Sequence, residues 1–472
     1  MPRPQHRLRV SLVASLIVLG VTAQVAGAAQ GSPTGAAATF RPPVVAIPAE
    51  VQQTEPQVHV LADGTVLVAS QFQRFDCETG APRLAGSRAC VWRSTDGGKT
   101  FNRSGGGQNT GADVHFARMP SGVLLYTTLA QPEPGTFTSG VGGATILRST
   151  DDGRTWSSTM LNGFSPALDR PFLTVLGEST VLLTYTAWPG NLFASLSTDD
   201  GKTFGPGMPI SPVPEQFFFT RPGGPAVDKK RGEILQPYYA GTSDDPAVNQ
   251  SSQSGMLDLK VARSADGGLT WTQELVAARV RPILGIHSVA ADDQGREFMV
   301  WSARDENGHV DAYFSRNLGP GEPWTAPVAL GTPEHSGTLA WVVARGDGGV
   351  AVGYLGSDHA DARTESRPWT VRVAISQDAG DSWIIHNASG DTIYTGPQNQ
   401  SLSLTYDLFG FVVDYEGFLH LAYPRRVTSD GVELNQVEYT RQMTGPPLGT
   451  RGRPAAGLSS PMALKIRSST WH

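Results

Sequence analysis

Apolar residues along this chain fall into short runs separated by polar turns that contain or adjoin Gly. Seven segments repeat the pattern of apolar run, turn and apolar run. They are VHVLADGTVLVAS from Val58, VHFARMPSGVLLYTT from Val114, FLTVLGESTVLLTYT from Phe172 and PAVDKKRGEILQPYY from Pro225. The series continues with SVAADDQGREFMVWS from Ser288, WVVARGDGGVAVGYL from Trp341 and FVVDYEGFLHLAY from Phe411. Each predicts a β-hairpin whose turn Gly tolerates positive φ. Outside the N-terminus no long segment keeps apolar residues at helical spacing.

A second motif lies between the hairpins. RSTDGGKTF at Arg93 returns as RSTDDGRTW at Arg148, LSTDDGKTF at Leu196, RSADGGLTW at Arg263 and ISQDAGDSW at Ile375. After the fifth hairpin it survives only as FSRNLGPGEPW, Phe314 to Trp324. The unit is hairpin, third strand, Asp turn and fourth strand, and a repeated four-stranded antiparallel unit is the pattern of a β-propeller. The seventh unit has a third strand, NQVEYTRQM, but no fourth. FRPPVVAIP (Phe40 to Pro48) is an orphan strand that would complete it and leave no open edge. All-β, seven blades and N-terminal closure are therefore expected, with six blades and a stray hairpin as the alternative.

The 54 Gly and 34 Pro residues suit many short strands and turns, and 39% hydrophobic residues in 472 suffice for a large core. Arg3, Arg7 and Arg9 precede the apolar stretch VSLVASLIVLGV and the small residues VAGAAQ, which reads as a signal peptide over 1–29. Twelve apolar residues fall short of the ~20 that a spanning helix needs, although an uncleaved anchor is the rival reading. Cleavage would make the formal charge of −6 more negative, against nucleic acid or anionic lipid as bulk partner. Cys77 and Cys90 suit a disulfide in an exported protein, with two free thiols as the alternative.

The Asp motif reads as structure. Ser and Asp side chains accept backbone N–H bonds in tight turns, Gly takes a left-handed conformation, and the final aromatic packs between sheets. GGKT at Gly97 lacks the upstream Gly of a phosphate loop, since Arg93 stands there. An EF-hand loop from Asp96 would need Glu where Gly107 stands. Asp96, Asp151, Asp199, Asp266 and Asp378 are thus assigned to the turns.

On these five copies the chain resembles the sialidase (neuraminidase) superfamily, whose hallmark turn is the Asp-box (BNR repeat), over residues 40–443. The resemblance implies a propeller with structural Asp turns on the rim away from the active site. It further implies three arginines around a substrate carboxylate, an Asp acid/base, and a Tyr nucleophile activated by a Glu. FRPPVVAIP resembles the family's first-arginine segment through Arg41. TEPQVHVLADGTVLVASQFQR resembles the catalytic-Glu segment through Glu55, with Arg74 near an arginine position. TYDLFGFVVDYEG offers Tyr406 as nucleophile.

The repeat offers candidates independently, because residues just before each innermost strand fall on one rim of the channel. Counting nine back from the turn positions Gly64, Gly122 and Glu178 gives Glu55, Asp113 and Asp169, the last followed by Arg170. Later units supply Arg221, His287, Tyr406 and Asp407 near the same register. One acid, Asp113 first, would protonate a glycosidic oxygen while Glu55 or Tyr406 assists. Arg170 and Arg221, with Asp169, His287 and Asp407, would hold an anionic sugar. The competing reading is that these acids merely cap strand-end N–H groups. A Ca²⁺ site among Glu55, Asp113 and Asp169 is a further, weaker expectation; otherwise no cofactor is expected. His59, His115 and His420, inside strands, read as packing residues.

The chain is thus expected to be a secreted, monomeric propeller with a C-terminal tail, 444–472, that is flexible. It would hydrolyse extracellular glycans in exo fashion, sialosides among them, or bind glycan or protein through its rim without chemistry.

Overall fold

The computed structural model describes residues 37–50, 54–71, 76–81, 89–106, 113–129, 143–161, 168–187, 191–211, 221–241, 256–397 and 410–449. Every regular element among them is a β-strand, and the strands form small antiparallel sheets in a β-propeller. Among the described residues no helix is long and apolar enough to cross a membrane.

Strand pairing gives six sheets. The first contains Thr54–Val60, Val66–Gln71, Cys90–Ser94 and Asn102–Gly106, and the second contains His115–Arg118, Leu124–Leu129, Ala144–Ser149 and Ser157–Leu161. The third runs from Leu168–Val175 through Val181–Ala187 and Asn191–Ser197 to the short Met208–Pro209. Next comes an eight-stranded sheet, where seven separate sheets were expected. Its fourth and fifth units share the continuous strand Thr272–Ala291, which pairs with Leu257–Ser264 through one half and Glu297–Arg304 through the other. Ser336–Arg345, Gly349–Ser357, Arg367–Ser376 and Ile384–Asn387 follow. In the last sheet Val432–Thr444 pairs with Leu419–Ser429 on one side and with Val44–Glu50 on the other, Val44 opposite Tyr439.

Apolar side chains alternate through each sheet and meet the next one. Leu67 and Val91 of the first sheet share a buried cluster with Phe116 and Tyr126 of the second. Val58 and Val68 share another with Val437 and Tyr439 of the last sheet, so the last sheet packs on the first. Fully burying one such Leu or Phe side chain is worth about 1.5–3 kcal/mol.

The five Asp turns share one hydrogen-bond set. In the first, Asp96 Oδ1 accepts from Ser94 Oγ (2.7 Å), Lys99 N–H (2.9 Å) and Thr100 N–H (3.0 Å), and Oδ2 accepts from Thr100 Oγ1 (2.6 Å). Asp151, Asp199 and Asp266 repeat it, and Asp378 repeats it except for the amide three residues on, since Asp381 N–H donates to the Asp378 backbone carbonyl. The Thr100 hydroxyl and amide hold the Asp96 carboxyl well below the usual range. Each turn also locks its sheet to the preceding one. A Cβ on Gly201, whose φ is +73°, would meet Leu125 Cδ1 at 2.8 Å; Gly153 faces Leu67, Gly268 faces Leu182 and Gly380 faces Phe314 in the same way. For Gly98 that neighbour is Tyr439 of the last sheet. The terminal aromatics enter the same junctions: Phe101 lies edge-on to Tyr439 at 5.3 Å and Trp383 edge-on to Phe314 at 4.9 Å.

Arg41 belongs to this framework and not to the channel. Its guanidinium donates to Gly97 O (3.1 Å) and Gly98 O and lies 5.4 Å from the centre of the Tyr439 ring. Cys77 and Cys90 form a disulfide with Cα atoms 5.2 Å apart, which suits an oxidising compartment. Residues 444–449, the start of the expected tail, lie against the last two sheets: Leu448 is buried, and its N–H donates to Gly417 O at 2.8 Å.

Candidate functional site

The innermost strands enter the ring through a repeated kink. Leu61 N–H bonds Thr65 O, Met119 N–H bonds Val123 O and Leu176 N–H bonds Thr180 O, fixing a common register for three hairpins. Six residues before these donors stand Glu55, Asp113 and Arg170, with φ of 51°, 53° and 52°. Leu339 (58°) and Gly285 (61°) kink later inner strands, each where strand pairing slips. A non-Gly residue held there costs on the order of 1–3 kcal/mol.

This register corrects the set of three equivalent acids. The third turn, Leu176–Gly177–Glu178–Ser179–Thr180, puts Ser179 where Gly64 and Gly122 stand in the others. Arg170, not Asp169, is therefore the counterpart of Glu55 and Asp113. Asp169 precedes the kink and remains partly exposed, as does Arg221, whereas Asp113, Arg170 and His287 are 7%, 2% and 1% exposed.

Four sheet units contribute to one polar cluster. Asp113 Oδ2 accepts the backbone N–H of Arg170 at 2.9 Å, and the Asp113 carboxyl hydrogen-bonds that of Asp169. Arg170 Nη1 donates to Gly285 O at 2.6 Å. Burial pushes the Asp169 carboxyl up, but Arg221, the Asp113 bond and Arg170 outweigh it and hold the group below the usual carboxylate range. Burial, then the charge of Arg170, pushes the His287 imidazole down to about 3, so it is neutral. Its Nδ1 lies 3.2 Å from Gly285 O, and Tyr239 meets the ring edge-on at 4.4 Å.

The candidate residues thus divide by depth. Asp169 and Arg221 reach solvent, while Asp113, Arg170 and His287 support them from behind. Glu55 is buried at the equivalent place in the first sheet. Tyr406, Asp407 and Arg74 lie outside the described residues. Among the described residues no group of three His, Cys, Asp or Glu side chains is arranged to hold a metal ion.

The capping alternative also finds a place here. Inner strands expose an unpaired edge to the channel, and side chains of the preceding unit satisfy its donors. Asp113 caps Arg170 N–H, His115 Nδ1 caps Leu173 N–H at 3.2 Å, Ser302 Oγ caps Ala340 N–H at 3.2 Å and Ser288 Oγ caps Val342 N–H at 2.9 Å. Burial and the neighbouring His59 push the His115 imidazole down to about 4, which keeps it neutral and able to accept.

Three members escaped sequence reasoning: the Gly285 carbonyl, Tyr239, and Gly223, where a Cβ would meet His287 Nε2 at 2.6 Å. A carbonyl acceptor leaves no mark in sequence. The Gly pair after Arg221, in RPGGP, was the one available signal.

No protein-family model matches the chain, and no curated protein matches it. Solved structures do. An ulvan lyase, from a new family of polysaccharide lyases (PL25), superposes with a TM-score of 0.50 at 12% identity, covering 83% of this chain and 95% of its own. A protein of unknown function from Dyadobacter fermentans matches at 0.48 and 17% identity over 86% of this chain and 99% of its own. A Hadza microbial sialidase matches at 0.47 and 13% identity, over 84% and 94%. At 12% identity the likeness to the lyase establishes the fold alone.

Proposed function

We propose that the protein is a secreted, sialidase-like propeller that hydrolyses glycosidic bonds in an extracellular glycan, with the Asp113–Asp169 pair as its acid. The observation that carries this reading is the hydrogen bond between the Asp113 and Asp169 carboxyls, with Arg221 and Arg170 beside them. Two carboxyl groups so joined share one proton. Asp169 is held ionised by its arginines, and in this reading Asp113 supplies a proton to the leaving-group oxygen through Asp169. Hydrogen-bonded carboxyls are closer than the ~5 Å separation of a glycosidase's two carboxylates, so the pair acts as one acid. The second group is then Tyr406 or Glu55.

A seven-bladed Asp-box ring closed by the N-terminal strand accompanies this reading. Seven apolar clusters between successive units support it, as does the division of the eight-stranded sheet at Thr272–Ala291.

The test is hydrolysis of chromogenic glycosides, including a sialoside, by the mature chain and by Asp113→Asn, Asp169→Asn and Tyr406→Phe. Loss of at least 100-fold in the aspartate variants is expected from general-acid contributions of about 10²–10⁴. No turnover of any glycoside, or turnover indifferent to these changes, rejects it. The second reading is a propeller that binds glycan without cleaving it. It is favoured by the burial of Asp113 and Arg170 and by their backbone bonds to Arg170 N–H and Gly285 O.

A further inference from the structure

The last sheet has no Asp turn in its sequence, yet residues 442–448 occupy the place of one. Asp414 N–H bonds Phe418 O in the last hairpin as Leu61 N–H bonds Thr65 O in the first. Six residues beyond these donors, His420 stands opposite Arg441 as Leu67 stands opposite Arg93. In this register Gln442, Thr444, Gly445 and Pro446 fall where RSTDGGKTF has Ser94, Asp96, Gly97 and Gly98. Gly445 and Gly97 share a left-handed backbone, with φ of +87° and +71°. The bonding is rebuilt. Ser94 Oγ accepts the Gly98 N–H at 2.8 Å, a bond that Pro446 cannot donate because it has no N–H. Buried Gln442 bonds the carbonyls instead, its Nε2 donating to Thr444 O at 3.1 Å and Pro446 O at 3.3 Å.

Beyond Pro446 the chain enters a groove between the last hairpin turn and the turn 345–349 of the preceding sheet. Arg345 joins the two turns, donating to Asp414 O at 2.6 Å and Tyr415 O at 2.5 Å. Glycines clear the path: a Cβ on Gly417 would meet Pro447 Cβ at 2.9 Å, and one on Gly346 or Gly349 would overlap Gly449. Leu448 is 1% exposed and shares an apolar cluster with Ile375 of the preceding sheet and Phe411 and Leu419 of the last. Gln377 holds the far side. Its Oε1 accepts Gly449 N–H at 3.2 Å, and its Nε2 donates to Pro447 O at 3.4 Å. The other four Asp turns have Thr95, Thr150, Thr198 and Ala265 at that position. None of these carries an amide that can both donate and accept.

We propose that residues 445–449 are a clasp that fastens the last sheet to the one before it, in place of an Asp turn. Residues before the first long strand brace its root: Thr39 Oγ1 and Thr444 Oγ1 share a hydrogen bond at 2.6 Å, and a Cβ on Gly445 would meet Ala38 Cα at 2.8 Å. A segment this short can open locally while the sheets stay folded, so its release loosens that junction first. The clasp lies at the ring end of the hairpin turns, whereas the acid pair lies where the inner strands enter. It therefore rests on no reading of the chemistry.

The experiment compares the full chain with Leu448→Ser, Gln377→Ala and the double variant, by melting temperature and by amide hydrogen exchange. Slow exchange at the Leu448 and Gly449 amides is expected in the unaltered protein. Each single substitution should speed it at least tenfold, leave exchange in Val181–Ala187 unchanged and lower the melting temperature by a few degrees. The double variant should melt no lower than the weaker single variant, because both changes release the same segment. Gln377→Ala keeps the test open where loss of the buried Leu448 prevents folding, since it leaves the apolar cluster intact. Fast exchange at Leu448 and Gly449 in the unaltered protein, or exchange there that neither substitution changes, overturns the proposal. Fully additive losses in melting temperature also overturn it, because the two side chains would then act separately. A melting temperature that rises with protein concentration would assign the groove to the segment of a second copy, against a clasp within one chain.

Discussion

Asp113 accepts the backbone N–H of Arg170 across the junction of two sheets, with 2.9 Å between Oδ2 and N. One carboxyl thereby caps an inner-strand edge and meets the Asp169 carboxyl. Asp113→Asn keeps an acceptor for Arg170 and should fold with a melting temperature within a few degrees of wild type while losing the shared proton. Asp113→Ala leaves a buried N–H without its partner and should cost about 1–3 kcal/mol. Denaturant unfolding of the two variants separates the roles, and equal destabilisation by both would contradict this division.

Acid should weaken the fold from about pH 6.5 downward. Burial pushes His59 and His115 down to about 4 and His287 to about 3, whereas an unfolded His titrates near ~6.5. Between those values the unfolded chain binds more protons, so stability falls as pH drops through the window. Asp311 acts oppositely: burial raises it to about 6, and its contribution improves as pH falls from about 6 to 4. Each pKa unit is worth about 1.4 kcal/mol, so three histidines outweigh one aspartate. Melting temperature against pH should decline steadily below 6.5. Asp311→Asn should steepen that decline, and a flat profile would contradict it.

Gly201→Ala should destabilise by about 2 kcal/mol or more. It puts a Cβ at φ +73° and 2.8 Å from Leu125 of the preceding sheet. Chemical denaturation would register the change, whereas ligand binding at the channel should survive it.

Reduction of Cys77–Cys90 should lower stability by roughly 3 kcal/mol, the chain-entropy value for a loop of this size. Calorimetry with and without reductant tests this, and no shift would mean that the loop is held by packing alone.

Substitution of Asp199 by Ala should lower the melting temperature and leave glycan turnover or binding intact. Its carboxylate is consumed by Thr203 and its neighbours in the turn. A loss of activity without a loss of stability would reassign it to chemistry.

Much of the architecture was written in local sequence. Alternating apolar runs around Gly turns specify hairpins because side chains in a strand alternate faces. The Ser–Asp–Gly–Thr pattern specifies its turn because all its hydrogen bonds fall within seven residues, as Ser94 through Thr100 illustrate. The orphan strand before Pro48 was legible as a partner for the last unit, and Val44 does pair with Tyr439.

The site was only partly legible. Counting along the chain brought Asp113, Asp169, Arg170, Arg221 and His287 forward, but equated Asp169 with Glu55 and Asp113. A turn hydrogen bond, Leu176 to Thr180, set the true register and put Arg170 there. The choice between partly exposed Asp169 and buried Arg170 is made by a backbone kink at positive φ, which sequence does not encode for a charged residue. The Gly285 carbonyl was likewise decided by tertiary structure. Local periodicity fixes which residues share a strand. Which charges meet across sheets depends on register and ring closure, set by the whole assembly at once.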